Sequence, residues 1–305
     1  MKLAVPGEPH LTYCTNIHPG ESWAEVRANL ERHVARVKAV VAPTRPFGVG
    51  LRLSASAAAT LARPAELEAF RIFLDDHGFY VFTINGFPYG PFHGTRVKEE
   101  VYLPDWLDDE RLAYSDRLAE LLATLLPADP GLEGTVSTVP GAFKGRVRDA
   151  ADEERMADLM IRHAAGLHRL RERTGRTVSL ALEPEPCCHM ETLDETVRFF
   201  ERHLFAAPAV AAFGRLAGLG RGESEAALRR HLGVCFDACH MAVEFEDATA
   251  ALAGLARAGI RVGKVQVSAG LRVRMDPGDR ALVDALRPFA EASISIRWSS
   301  AGTAG

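Results

Sequence analysis

The stretch SLALEPEPCCH at 179–189, read together with GVCFDACHM at 233–241, decides the fold. Each is an apolar run that ends on acids and histidines. Side chains alternate faces along a strand, so Val178, Leu180 and Leu182 share one face while Ser179, Ala181 and Glu183 share the other. In the second run Val234 and Phe236 lie on one face, and Cys235 and Asp237 on the opposite one. Both acids fall on the small-residue face at the C-terminal end of the strand. In a parallel barrel that edge carries the chemistry. With His240 one turn beyond Asp237, the two carboxylates predict a divalent-metal site.

Outward from these runs the chain alternates strand and helix almost without a break. Strands are predicted at 11–17, 47–54, 79–86, 134–141, 178–183, 232–237 and 262–268. Amphipathic stretches with helical spacing lie between them, at 22–41, 105–126, 152–174 and 247–258. Val26, Leu30, Val34 and Val37 share one face of the first. A repeated βα unit implies a parallel sheet with right-handed crossovers. Seven units are too many for a typical open sheet, so the expected fold is α/β, a (β/α)8 TIM barrel. It is expected over residues 1–292, with a helical insert at about 205–231. No linker divides it into two domains.

At 305 residues, 47% hydrophobic and 25% charged, the chain can bury a large core. A net charge of −4 gives no general pull toward nucleic acid or anionic membrane. No apolar run is long enough to span a bilayer, and residues 1–20 lack a basic start followed by an apolar stretch. Five cysteines without CxxC spacing argue against a disulfide framework and for a reducing, cytoplasmic compartment. The expected partner is a small-molecule metabolite. Exposed barrel edges would favour a homo-oligomer.

Strand parity places polar groups toward the barrel centre. Leu11, Tyr13 and Ile17 are expected to cover the helix side, leaving Thr12, Cys14 and Asn16 inward. Phe82 and Ile84 face outward, and Thr83 and Asn85 inward. On the seventh strand Val265 and Val267 face outward, and Lys264, Gln266 and Ser268 inward. Arg52 turns inward, an unusual choice unless carboxylates await it. His18 and His93, in the loops after strands one and three, are expected pocket walls. Asn16, Arg52 and Asn85 complete that pocket. The aromatic loop with Phe87, Tyr89, Phe92 and Tyr102 is long for a βα connection and reads as a lid or interface.

LALEPEP, followed about fifty residues later by FDACH and then by KVQVS, resembles the xylose-isomerase-like TIM-barrel superfamily of sugar isomerases, epimerases and type IV apurinic endonucleases. More narrowly, TYCTNIHPGESW (12–23), INGFPYGPFHG (84–94), VYLPDW (101–106), STVPGAFKG (137–145), LEPEPCC (182–188) and CFDACHMAVEFED (235–247) resemble the Ebo-operon metabolite traffic branch. The resemblance implies that Glu183, Asp237 and Gln266 hold a divalent cation. Gln266 stands where a histidine is usual, which favours Mn²⁺ or Mg²⁺ over Zn²⁺. His240 matches the DxxH histidine that normally faces substrate. The superfamily supplies its last metal-binding glutamate from an eighth strand. Here SISIRWSSAGTAG, an atypical tail at 293–305, offers only Ser295, Arg297 and Ser299 on the alternates of Ile294, Ile296 and Trp298. The barrel is therefore expected to be incomplete or irregular at strand eight.

With a cation at Glu183 and Asp237, Glu185 or Glu183 would move a proton while Lys264 and His240 stabilise a developing oxyanion. The expected activity is that of a sugar isomerase or epimerase acting on a small hydroxy-carbonyl metabolite. The alternatives are a non-catalytic metabolite-binding or trafficking protein with a degenerate site, and, remotely, an apurinic endonuclease-like nuclease. That nuclease would need three metals and a basic face. Structural readings stand beside these. Glu183 would pair with Arg52 inside the barrel, and His240 would cap a loop. Cys187, Cys188, Cys235 and Cys239 with His189 would form a thiolate zinc site, but their spacings fit the usual knuckles poorly. Small buried cysteines packing the barrel mouth are favoured over it.

Overall fold

A computed structural model describes residues 1–91, 99–129, 131–274 and 278–287. The predicted alternation is present. Seven strands, β1 (Thr12–Cys14), β2 (Phe47–Arg52), β3 (Phe79–Asn85), β4 (Gly134–Thr138), β5 (Val178–Leu182), β6 (Leu232–Asp237) and β7 (Arg261–Gln266), form one sheet in sequence order. Every neighbouring pair is parallel. The sheet curls: Lys264 on β7 reaches across the interior to Asn85 on β3 and Ser137 on β4. Curled parallel strands with helices between them make this an incomplete (β/α) TIM barrel. β1 and β7 are free edges among the described residues.

The helices are α1 (Trp23–Asn29), α2 (Ala35–Val41), α3 (Ala55–Leu61), α4 (Pro64–His77), α5 (Asp109–Leu125), α6 (Ala150–Thr174) and α7 (Leu193–Phe199). After them come α8 (Ala207–Ala217), α9 (Arg221–His231), α10 (Ala238–Val243), α11 (Ala248–Arg257) and α12 (Arg280–Leu286). Local signals set their ends. Ser22 and Glu25 form a reciprocal capping box at the start of α1, and Thr192 and Glu195 do the same at α7. Asp149 caps α6, which stops at Gly175 with φ +69°, the left-handed conformation that glycine adopts most cheaply. Where a single helix was expected over 22–41, a π-helical turn at Leu30–Val34 joins α1 to α2. α8 and α9 occupy the stretch read as an insert.

The core fills the space between sheet and helices. Leu51, Leu53, Leu61, Phe70, Ile84, Trp106, Leu118, Phe200 and Phe213 are fully buried there. Two edges depart from the parity expectation. Strand one is short and passes into a 3-10 turn at Thr15–Ile17. Leu11 and Ile17 are exposed instead of covering a helix layer. On β7 Val265 is 57% exposed, and just past its end Val267 is 89% exposed. The reason is position: both segments lie at the ends of the sheet order, β1 and β7, and border the open seam. His93, Phe92 and the tail at 293–305 lie outside the described residues.

Candidate metal centre

Glu183 and Asp237 end adjacent strands, and β7 delivers Gln266 between them. Asp237 is paired in register with Gln266, and Cys235 with Lys264. Because side chains alternate, Lys264 and Gln266 share the interior face of β7. The Glu183 N–H donates to the Thr138 carbonyl at 3.1 Å, which carries the β5 pairing one residue past the strand. Gly233 lets β7 come this close. A Cβ there would lie 2.5 Å from the Arg261 carbonyl oxygen.

The Gln266 amide is the hub. Its Nε2 donates to Glu183 Oε1 at 2.5 Å and to Asp237 Oδ2 at 2.8 Å. The other Asp237 oxygen, Oδ1, accepts from the backbone N–H of Cys239 (2.9 Å) and of His240 (3.3 Å) and from Ser268 Oγ (2.5 Å). Asp237 is thus also the N-cap of α10. His240 Nδ1 lies 3.1 Å from the Pro184 carbonyl and 4.0 Å from Glu183 Oε1.

Electrostatics separate the three carboxyls. Burial pushes Glu183 above the ordinary carboxylate range, against the pull of Lys264 and His240. Glu185, two residues on, is buried, and burial followed by the Glu183 charge raises its carboxyl well above that range. Cys188 Sγ sits 3.6 Å from Glu185 Oε1. Asp237 goes the other way. Burial opposes its charge, but His240 and the hydrogen bonds from Ser268 and Cys239 outweigh burial and hold it below the usual value. Burial pushes the Cys239 thiol up to about 11.

A divalent cation fits this arrangement. Two carboxylate oxygens from different strands converge on the positive end of one amide dipole, where a cation would otherwise draw them. Turning that amide over presents Oε1 and makes a three-oxygen set from Glu183, Asp237 and Gln266, suited to a hard cation.

The expected pocket residues form a second group. Asn85 Nδ2 donates to Asn16 Oδ1 at 2.6 Å and lies 3.3 Å from Cys14 Sγ. Its Oδ1 accepts from Lys264 and from Ser137 Oγ. Lys264 thus joins this belt, although its charge is also felt at Glu183. His18 stands apart, hydrogen-bonded to the Tyr13 hydroxyl at 2.9 Å and stacked on His33.

Arg52 turns inward as read, but the acid that meets it is Glu21, at 2.7 Å, and Glu183 is engaged elsewhere. The pairing of Glu183 with Arg52 is thereby replaced. The guanidinium is 2% exposed and also donates to the carbonyls of Gly20, Pro88 and Gly90, tying together the loops after strands one and three. The long aromatic loop stacks Tyr102 between Phe87 and Phe143. Ser268 was expected only to face inward and Cys239 only to join a cysteine-rich zinc site; their bonds to Asp237 and to each other, and the contact of His240 with the Pro184 carbonyl, come from the fold. For Cys239 and Ser268 the signal was present in the D-x-C-H spacing and the parity of strand seven.

No family model matches the chain, and no curated protein matches it. Solved structures do. Two of those it resembles are described as xylose isomerase-like proteins. One is a xylose isomerase domain protein from Planctomyces limnophilus, at 18% identity and TM-score 0.42, covering 72% of this chain and 63% of that one. Another is a xylose isomerase-like TIM barrel protein from Mycobacterium smegmatis in complex with magnesium, at 13% identity and TM-score 0.45, covering 86% and 90%. A third, the IOLI protein with a binding zinc atom, gives 12% identity and TM-score 0.41, covering 78% and 66%. The chain therefore spans slightly less than two thirds of the first and third of these. At such identities the likeness concerns the fold alone.

Proposed function

We propose that the chain is a sugar isomerase- or epimerase-like protein acting on a small hydroxy-carbonyl metabolite by divalent-metal-assisted proton transfer. The observation that carries this reading is the Gln266 amide held between the Glu183 and Asp237 carboxylates at the C-terminal edge of the barrel, with a third, buried acid at Glu185. A bound cation there supplies Lewis-acid polarisation of a substrate carbonyl.

The protein's own groups supply the rest. Glu183 and Asp237 hold negative charge in place on rigid strand ends. Glu185, whose carboxyl burial and the neighbouring Glu183 charge push well above the ordinary carboxylate range, is the group placed to hold and deliver a proton. Lys264, fixed by Asn85 and Ser137, presents a positive charge to an oxygen that gains charge. Asn16 and Asn85 offer amide groups for sugar hydroxyls, and His240 faces the same carboxylates from α10.

A second reading has its own support. With Gln266 bonded to both acids, the site is already paired without any cation, as suits a ligand-binding pocket. The narrower resemblance to the Ebo-operon metabolite traffic branch favours the same carrier role.

Metal analysis and calorimetry test the first reading. Wild type is expected to bind Mn²⁺ tightly, and Glu183→Gln and Asp237→Asn to lose that binding. Unchanged binding in both variants would refute the site. A panel of sugars and sugar phosphates then separates the readings. Turnover with bound metal supports the isomerase, whereas ligand-induced stabilisation without turnover supports the carrier.

A further inference from the structure

The cation site just described uses oxygen ligands, yet a softer set converges on the same aspartate. Asp237, Cys239 and His240 each offer one ligand atom, and the three atoms lie within 4.8 Å of one another. Asp237 is buried and the other two are half-buried. All three come from four consecutive residues at the end of β6 and the first turn of α10, so one backbone segment fixes their relative position.

Two details of hydrogen bonding support a metal-ligand role. The first concerns the imidazole. His240 Nδ1 lies 3.1 Å from the Pro184 carbonyl, and a carbonyl can only accept. Nδ1 therefore carries the proton, and Nε2 is the lone-pair atom of the ring. Metal-bound histidines show the same second contact, in which one ring N–H is anchored to a carbonyl or carboxylate. The second detail concerns the aspartate. Oδ1 is occupied by two backbone N–H groups and Ser268, whereas Oδ2 accepts from the exchangeable Gln266 amide, and the Cys239 side chain also hydrogen-bonds the carboxylate. Ser268 Oγ also accepts the Cys239 N–H at 3.0 Å, which anchors the cysteine backbone beside the aspartate.

We propose that Cys239 and His240 join Asp237 in holding the cation, and that this centre selects zinc. This rests on the reading that the site binds a divalent cation at all. The donor chemistry gives the selectivity. Mg²⁺ and Mn²⁺ prefer oxygen ligands, whereas a thiolate, an imidazole and a carboxylate together match Zn²⁺. A cation in contact with the thiol displaces its proton, which leaves to solvent as the metal–sulfur bond forms. Glu183 and Gln266, hydrogen-bonded to each other and through Gln266 to Asp237, would supply the remaining ligands from the β5 and β7 sides.

The test uses the full chain, stripped of metal with a chelator and titrated with Co²⁺ as a spectroscopic probe. Wild type is expected to show an intense near-ultraviolet thiolate-to-cobalt charge-transfer band that Zn²⁺ abolishes by competition. Cys239→Ser and Cys239→Ala, checked for folding by circular dichroism, are expected to bind Co²⁺ without that band. Their preference for Zn²⁺ over Mn²⁺ should fall at least about tenfold by competition calorimetry, as expected on removing a soft ligand. Cobalt binding without the band in wild type overturns the role of Cys239 and leaves the oxygen-ligand reading standing. Persistence of the band in both Cys239 variants assigns the thiolate to another cysteine and also overturns it. Absence of any Co²⁺, Zn²⁺ or Mn²⁺ binding overturns both readings.

Discussion

Gln266 Nε2 sits 2.5 Å from Glu183 Oε1 and, through the same nitrogen, 2.8 Å from Asp237 Oδ2, so one amide holds together two acids from adjacent strands. Reversing its chemistry is the most direct probe. Gln266→Glu removes the donor and adds a third carboxylate. Without cation the variant is expected to lose about 1–3 kcal/mol of stability, the usual cost of leaving buried acceptors unpaired. With saturating divalent cation the loss is expected to be offset. Thermal unfolding with and without Mn²⁺ measures both, and equal losses in the two conditions would contradict the cation site.

Glu185→Gln is expected to be neutral or stabilising near pH 8. The Glu185 carboxyl is raised by burial, so the folded protein keeps a proton that the unfolded chain releases above its ordinary value of 4.5. The folded state binds more protons over that window, and stability falls as pH rises through it. Glutamine is never ionised and escapes that loss. The advantage of the variant should shrink as pH falls below the ordinary value of 4.5 toward pH 4, where the unfolded wild type is mostly protonated too. Chemical denaturation at the two pH values decides this, and turnover, where present, is expected to be lost at both.

His231 provides a pH signature remote from the site. Burial lowers its pKa from 6.5 to about 4, and Nδ1 donates to the Val178 carbonyl at 2.7 Å. Above pH 6.5 both folded and unfolded forms are neutral and its contribution to stability is complete. As pH falls from 6.5 toward 4 the unfolded chain takes up a proton that the folded protein refuses, and stability drops. The drop approaches about 3 kcal/mol at 1.36 kcal/mol per pKa unit. His231→Gln is expected to flatten the slope between pH 7 and pH 4 by that amount, and an unchanged slope in urea denaturation would count against the assignment.

Gly233→Ala tests how tightly the site depends on strand spacing. The new Cβ would meet the Arg261 backbone oxygen at 2.5 Å, so β6 and β7 must move apart. Overpacking of this kind costs about 1–3 kcal/mol. Because β7 carries Gln266, Mn²⁺ affinity measured by calorimetry is expected to fall as well. A variant that is destabilised but binds Mn²⁺ as tightly as wild type would show that β7 is not needed for the site.

Most of the strand and helix order was legible because period-two and period-3.6 patterns are local properties of the chain. The acids at 183 and 237 were legible for the same reason, since strand parity alone puts them on one face. The partner of Arg52 was not. Glu21 lies two residues before α1 and meets Arg52 only through the packing of two loops. Nor was the exposure of Val265 and Val267 legible, because a valine on an edge strand looks the same in sequence as one beneath a helix.

By itself, then, the sequence determined a parallel βα succession, the strand ends at Glu183 and Asp237, and the D-x-C-H run that follows. Tertiary structure alone decided that Gln266 lies between the two acids, that Pro184 anchors His240, and that Lys264 spans the interior to Asn85 and Ser137. The physical reason is reach. Alternation along one strand depends on neighbouring residues. A hydrogen bond between strands depends on register and curl, which arise only when distant segments pack together.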